Sequence, residues 1–343
     1  MRAACDPGSR PSAGVSDLLT GIRADGPRLS IVIPNYNHGH IVEAALAAIS
    51  QQTMSPFEVV VVDDGSTDDS VVRLQSLAAD KPWLSIHRHP ENRGVNAACN
   101  TGLALVRGDF VLFSAADDCL SPEVVERASA AAAAFPRTGI IFSDWAEMSA
   151  DGSGRRIIPL DLPQDRKFFS PDAFVHLMQQ AFFYFCVSNT WFDVGLLRSL
   201  GGFPLDVKWH GDLLAAYAAA FERGAVYVPG AVSYFRILPS SYSAAGRRSG
   251  AQLDVLRAWH ATTRRPGWER RRTAFVAAAV LPDYSLRGVR ALASDPGYLT
   301  PRLIRRLVWL AIWTKLARFV GNGLRQRLRG MRAAYRRARL PEQ

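Results

Sequence analysis

Carboxylates cluster at three points of this 343-residue chain. Asp63, Asp64 and Asp68 share the turn Asp63-Asp64-Gly65-Ser66-Thr67-Asp68, Asp117 and Asp118 are adjacent, and Asp206 and Asp212 bracket Trp209 and His210. Neighbouring acids can hold a hard divalent ion such as Mg²⁺ or Mn²⁺ through oxygen, with phosphates and waters completing its shell. A carboxylate can also take a proton from an attacking hydroxyl. Arg93 adds a planar guanidinium, whose donors suit phosphate oxygens, although it could equally pair with Glu91 on the surface. Structural duties compete with each of these roles. Asp63 and Asp68 suit shaping a turn and capping a helix. Asp117 and Asp118 could cap a helix near Ser121, and Asp212 could serve only the dipole at a helix start.

These groups need strand ends and helix starts to hold them. Residues 29–33 form an apolar run suited to a buried parallel strand, which Pro34-Asn35-Tyr36-Asn37 breaks. Helical spacing follows over 41–52, then a second strand over 57–62 that ends in the acidic turn. In open parallel sheets, ligands bind beyond the carboxyl ends of strands, and both Tyr36 and Asp64 fall there. Further along, the pattern predicts helices over 69–79 and 95–106 and strands over 84–88, 110–113 and 139–143, with Ser121 and Pro122 opening a helix between the last two. Strands alternating with helices argue for a mostly parallel α/β sheet flanked by helices. The second half is more irregular. It contains a loop-rich stretch over 150–171, a helix over 172–180, strands over 186–192, 225–229 and 232–237, and a helix over 211–223.

Four segments in order resemble family 2 glycosyltransferases. They are Ile31-Val32-Ile33-Pro34-Asn35-Tyr36-Asn37, then Val61-Val62-Asp63-Asp64-Gly65-Ser66-Thr67-Asp68, then Glu91-Asn92-Arg93-Gly94-Val95-Asn96-Ala97-Ala98-Cys99-Asn100, and Ala116-Asp117-Asp118. The resemblance covers roughly residues 29–243. It implies a GT-A fold, a nucleotide-diphosphate sugar as donor and a divalent ion, Mn²⁺ or Mg²⁺. It implies a donor site containing Pro34, Tyr36, Asp64, Arg93 and Asp117, with Tyr36 against the nucleobase and Asp64 at its edge. The metal ligands would be Asp117 and Asp118. The family's usual Asp-x-Asp is Ala115-Ala116-Asp117 here, so the first acid is absent. Cys99 stands where relatives often carry Arg, and is expected as a small buried residue.

The segment 201–212 resembles the family's acceptor side, where an acid at a helix start is the general base. Asp212 matches it, and a single displacement with that base would invert the anomeric centre. His210 and Asp206 are weaker candidates, and Trp209 could line the sugar site or sit in the core. The organisation implied is a disordered segment over 1–27, a glycosyltransferase domain over 28–248 with halves 28–145 and 146–248, and a helical basic region over 249–343. The implied acceptor is a glycan or lipid-linked glycan of a cell envelope.

Charge supports one further expectation. The net charge is +10, yet between positions 296 and 341 there are eleven Arg, one Lys and no acid; the remaining 29 basic residues face 31 acidic ones. The excess therefore belongs to one tail. Its apolar positions, among them Leu303, Ile304, Leu307, Val308 and Leu316, are flanked by Arg302, Arg305, Arg306, Lys315 and Arg318. Such a helix suits an anionic membrane surface, or packs on the domain with a solvated basic face. No nucleic-acid reading motif is present, so no nucleic acid is expected as partner. Four scattered cysteines argue for a reducing compartment. No stretch is apolar for the length of a membrane span, and the first residues lack a signal-peptide core. A cytoplasmic protein, peripheral at the inner face of the plasma membrane, is the expectation.

Overall fold

The computed structural model describes residues 26–160, 162, 168–180, 187–237 and 241–319. The expected disordered segment and the basic stretch beyond Phe319 lie outside the described residues, apart from 26 and 27. The chain begins with β1 (Leu29–Asn35), α1 (Gly39–Ser50), β2 (Glu58–Asp63), α2 (Ser70–Ala78), β3 (Leu84–Arg88), α3 (Val95–Leu105) and β4 (Phe110–Phe113). β1 runs parallel to both β2 and β4, and β2 parallel to β3. Alternate residues of these strands divide between two cores. Leu29, Ile31, Ile33, Val59 and Val61 meet α1 and α2 residues such as Val42, Leu46 and Leu74. Val32, Val60 and Val62 face the opposite core, with Ala98 and Leu103 of α3. Burial on both faces accounts for the unbroken apolar runs read in the sequence. Each fully buried Val or Ile contributes about 1.5–3 kcal/mol.

The chain continues through β5 (Cys119–Leu120), α4 (Val124–Ala134), β6 (Ile140–Met148), β7 (Arg155–Ile158), β8 (Phe168–Phe169), α5 (Pro171–Gln180), β9 (Thr190–Asp193), α6 (Val194–Ser199), α7 (Gly211–Arg223) and β10 (Ala225–Arg236). The sheet order is β3-β2-β1-β4-β9-β6-β10-β5, with β7 on β6 and β8 on β10. β9 is antiparallel to both β4 and β6, whereas β6 and β10 are parallel. The all-parallel part is thus the first half, and antiparallel β9 joins it to the second. Four expectations are revised here, the first being the strand over 186–192, which is a 3₁₀ turn over Val187–Asn189 followed by β9 from Thr190. The strand expected over 139–143 runs on to Met148, because β7 pairs with its far end. The loop over 150–171 contains β7 and β8. The two strands expected over 225–237 are one strand bent by register shifts after Val228 and Ala231.

Five helices follow: α8 (Tyr242–Arg248), α9 (Gln252–Thr263), α10 (Glu269–Ala278), α11 (Leu286–Ala291) and α12 (Pro301–Phe319). Of these, α9, α10 and α12 share the α7-side core. Trp259, Phe275, Leu292, Tyr298 and Leu303 are buried there with Tyr217 and Phe221. Phe275 meets the Phe221 ring edge-on, 5.1 Å between centroids. The Arg306 guanidinium donates to the carbonyls of Met178, Ala278 and Ala279, satisfying the ends of α5 and α10.

Candidate active site

Parallel pairing puts the ends of β1, β2 and β4 at one edge of the sheet. Tyr36 follows β1 there with its side chain exposed, and Pro34 is partly exposed within the last turn of the strand. Asp63 works inside the turn: it accepts from Asn35 Nδ2 at 2.9 Å and from the Ser66 amide at 3.0 Å. Asp68 accepts from the amides of Gly39 and Ser70, closing the starts of α1 and α2. Both perform the structural duties expected of them.

Asp64 carries more than a ligand contact. It is 3% exposed, and its carboxylate accepts from His89 Nδ1 at 2.6 Å, the Arg93 amide at 3.0 Å and the Gly94 amide at 2.8 Å. A carboxylate has about four acceptor sites, so three of Asp64's are spent on the chain itself. The carboxylate only accepts, so His89 Nδ1 carries a proton, and Nε2 faces Thr101 Oγ1 at 2.9 Å. Gly65, at φ +75°, lies so close to the backbone of Glu91 and Asn92 that a side chain would collide. Asp64 therefore shapes the loop that presents Arg93. The Arg93 side chain is exposed and, among the described residues, has no hydrogen-bond or ion-pair partner.

Asp117 and Asp118 follow β4 but face different ways. Asp118 is buried; it accepts from Ser188 Oγ and from the Arg236 amide. Burial, reinforced by the neighbouring Asp117 charge, pushes its carboxyl up to about 7. The expected pair of metal ligands is thus divided, because Asp118 is committed inward to β10 and the 187–189 turn. Asp117 is partly exposed, its carbonyl accepts from Arg236 Nε at 3.2 Å, and its carboxylate has no partner among the described residues. One open carboxylate suits a hard cation that draws its other oxygens from phosphates and water, so the residues fit Mg²⁺ or Mn²⁺ with Asp117 as the protein ligand.

The loop 203–208 ahead of α7 is fastened to the first half of the sheet by α3. Asn100 grips Phe203 twice, through its amide at 2.8 Å and its carbonyl at 2.9 Å. Asn96, one turn earlier, donates to the carbonyls of Pro204 and Lys208, both at 2.9 Å. Gly202, at φ +71°, abuts the Asn100 side chain, which leaves no room for a Cβ. The loop delivers Asp212 to the first turn of α7, where its Oδ1 accepts from the Leu213 amide at 2.7 Å. Burial raises its pKa to about 6, against the opposing pull of backbone amides and the Arg247 cation. The start of α3 is thus tied both to Asp64, through the Gly94 amide, and to the loop ahead of Asp212, through Asn96. Burial, then the charges of Asp212 and Asp64, push the thiol of buried Cys99 far up. His210 is buried and faces away from the role of base, its pKa brought down to about 4 by burial and then by Arg247. Asp206 lies on the surface with Arg265.

Sequence reasoning missed His89, Asn96, Asn100, Arg236 and Arg247. Only the asparagines left a signal, two polar residues one turn apart on an otherwise apolar helix face.

The mixed α/β sheet flanked by helices is the fold of GT-A-type transferases. TarS residues 1–349 of Staphylococcus aureus, solved with UDP-GlcNAc, superimposes with a TM-score of 0.57 at 19% identity, covering 78% of this chain and 73% of that one. A Pyrobaculum calidifontis mannosyltransferase, solved with GDP-Man and Mn²⁺, gives 0.52 at 22% identity, covering 92% and 88%. In sequence, residues 30–188 match the model of glycosyl transferase family 2, and that segment belongs to the family. The O-antigen biosynthesis protein RfbC of Myxococcus xanthus is 30% identical over 231 residues, 67% of this chain and 17% of RfbC. The first curated relatives, all glycosyltransferases, are matched over about a third of their own length. Asp212 lies beyond the family-matched segment.

Proposed function

We propose that this chain transfers a sugar from a nucleotide-diphosphate donor to a hydroxyl of a glycan or lipid-linked glycan, with inversion, in the assembly of a cell-surface polysaccharide. The observation that carries the proposal is that the start of α3 ties the two acids to one region: Asp64 accepts from the Gly94 amide just ahead of the helix, and Asn96 in its first turn clamps the loop that leads into Asp212. Tyr36 and Pro34 flank the nucleobase, the remaining acceptor capacity of Asp64 serves its edge, and Arg93 meets the diphosphate. A divalent ion held by Asp117 would neutralise the leaving diphosphate. Asp212 takes the acceptor proton as the hydroxyl oxygen bonds to the anomeric carbon. The carbon–oxygen bond to the diphosphate breaks on the opposite face, and its electron pair leaves with the phosphate.

The C-terminal helices hold the protein at an anionic membrane, at the inner face of the plasma membrane. α12 supports this with two faces. Leu303 and Arg306 turn into the domain, whereas Ile304, Val308 and Ile312, spaced by four, are exposed beside exposed Arg305. An apolar stripe edged by arginine, in a tail with eleven Arg, suits anionic lipid. Among the described residues no helix is long and apolar enough to cross a membrane.

A second reading, a relative that binds sugar nucleotide without turnover, is favoured by the inward commitment of Asp118 and the Ala at 115. Thermal-shift screening of nucleotide sugars with and without Mn²⁺, followed by assay of nucleoside diphosphate release with a glycan acceptor, separates the two. Release with an inverted product supports transfer; binding without release supports the second reading.

A further inference from the structure

Trp209 and His210, immediately ahead of Asp212, rest on α9. Gln252, the first residue of that helix, is 1% exposed. Its Oε1 accepts from Trp209 Nε1 at 2.7 Å, while its Nε2 donates to Asp283 Oδ2 at 3.1 Å and lies 3.3 Å from His210 Nε2. These partners dictate which way the amide points. An indole N–H only donates and a carboxylate only accepts, so the oxygen must face Trp209 and the nitrogen must face Asp283. The second amide hydrogen then points at His210 Nε2, which can only accept it. The imidazole is therefore neutral, with its proton on Nδ1. Burial and the Arg247 cation of α8 favour the neutral ring, against Asp283 ahead of α11; Asp212 is two residues away. Trp209 is confined from its other side as well. Gly246 lies against its indole with no room for a Cβ, and Tyr242 meets it edge-on at 5.9 Å.

We propose that Gln252 is the positioning residue of the base loop, fixing Trp209 and holding His210 in its Nδ1–H tautomer so that Asp212 enters α7 in one orientation. Through it the C-terminal helices belong to the catalytic unit. The 3₁₀ turn Lys208–His210 runs straight into α7, so slack at 209 and 210 passes directly to Asp212. Displacements of about 1 Å at a reacting group can cost about 10²-fold in rate. The inference rests on Asp212 as base, but its spectroscopic arm does not.

The test uses the full chain, ¹⁵N-labelled at histidine, with Gln252→Met and Trp209→Phe. In the unaltered protein the His210 ring nitrogens should report a fixed Nδ1–H tautomer between about pH 5 and 8, although a free histidine titrates within that range. Gln252→Met, similar in size and lacking the amide, should give averaged tautomers and a kcat lower by about tenfold, with donor Kd within about twofold, a loss confined to the positioning of the base loop. Trp209→Phe leaves α9 intact and releases only the amide oxygen. It should move the same signals in the same direction, and serves if Gln252→Met does not fold. An Nε2–H tautomer in the unaltered protein would overturn the proposal. So would a folded variant with unchanged His210 signals and unchanged kcat, or one losing donor affinity in step with kcat.

Discussion

At the scale of single residues, the acids divide by what holds them. Asp63, Asp68 and Asp118 spend their oxygens on the chain, Asp64 spends three of about four acceptor sites there, and Asp117 and Asp212 keep more capacity for a ligand. The sequence placed every one of these acids at a strand or helix end, because turns after buried β-branched runs are legible. It set Asp63 and Asp68 apart as structural but did not distinguish Asp118, which turns inward, from Asp117. The partners that turn Asp118 inward, Ser188 and Arg236, lie 70 and 118 residues away. The division makes a prediction for Asp117. Asp117→Ala should remove the Mn²⁺ dependence of donor binding, read by calorimetry, with the melting temperature unchanged, since its carboxylate supports no described contact. Asp118→Ala should instead unfold at lower temperature, because it leaves buried donors unpaired at about 1–3 kcal/mol each. A persisting Mn²⁺ effect in Asp117→Ala would remove Asp117 from the metal site.

At the scale of elements, α3 joins the β1–β4 half of the sheet to the loop ahead of α7. Its Asn96 and Asn100 reach the loop 203–208 across about a hundred residues of sequence. Asn100→Ala should strip both the Phe203 amide and carbonyl of their partner, costing about 2 kcal/mol. The loop also carries the approach to Asp212, so kcat should fall while donor affinity, set at the β1 and β2 ends, holds. A stability loss with unchanged kcat would make the clamp purely structural. Elements were legible in proportion to their burial. The strands β1, β2 and β4 announced themselves through both-sided burial, whereas β7, with three exposed residues of four, and the two-residue β5 and β8 carry no period to read.

At the scale of the whole molecule, the helical region expected over 249–343 packs, as far as it is described, into the same core as the sheet. Tyr298 and Leu303 are fully buried in the shared core. A truncation after Asp295 would therefore open that core and could not report on lipid binding alone. Substituting the outer face is cleaner. Ile304→Ser with Val308→Ser should leave the melting temperature and donor binding unchanged while reducing sedimentation with phosphatidylserine vesicles several-fold. The basic segment beyond Phe319 should supply a salt-sensitive remainder. Unchanged vesicle binding in the double variant would move attachment off α12, and a shift from dimer to monomer would assign the face to a second copy of the chain.

The central claim is that Asp212 accepts the acceptor proton, and the pH dependence of kcat in the unaltered chain and in Asp212→Asn tests it most directly. A base must be ionised to act, and burial holds Asp212 protonated up to about 6. The rate of the unaltered chain should therefore fall about tenfold per pH unit below that point and level off above it. Asparagine keeps the size and the acceptor toward the Leu213 amide but takes no proton. Its rate should be lower by at least about 10²-fold at the plateau and lose the inflection near 6, with donor affinity unchanged. A folded Asp212→Asn that retains the plateau rate and the same inflection would contradict the account.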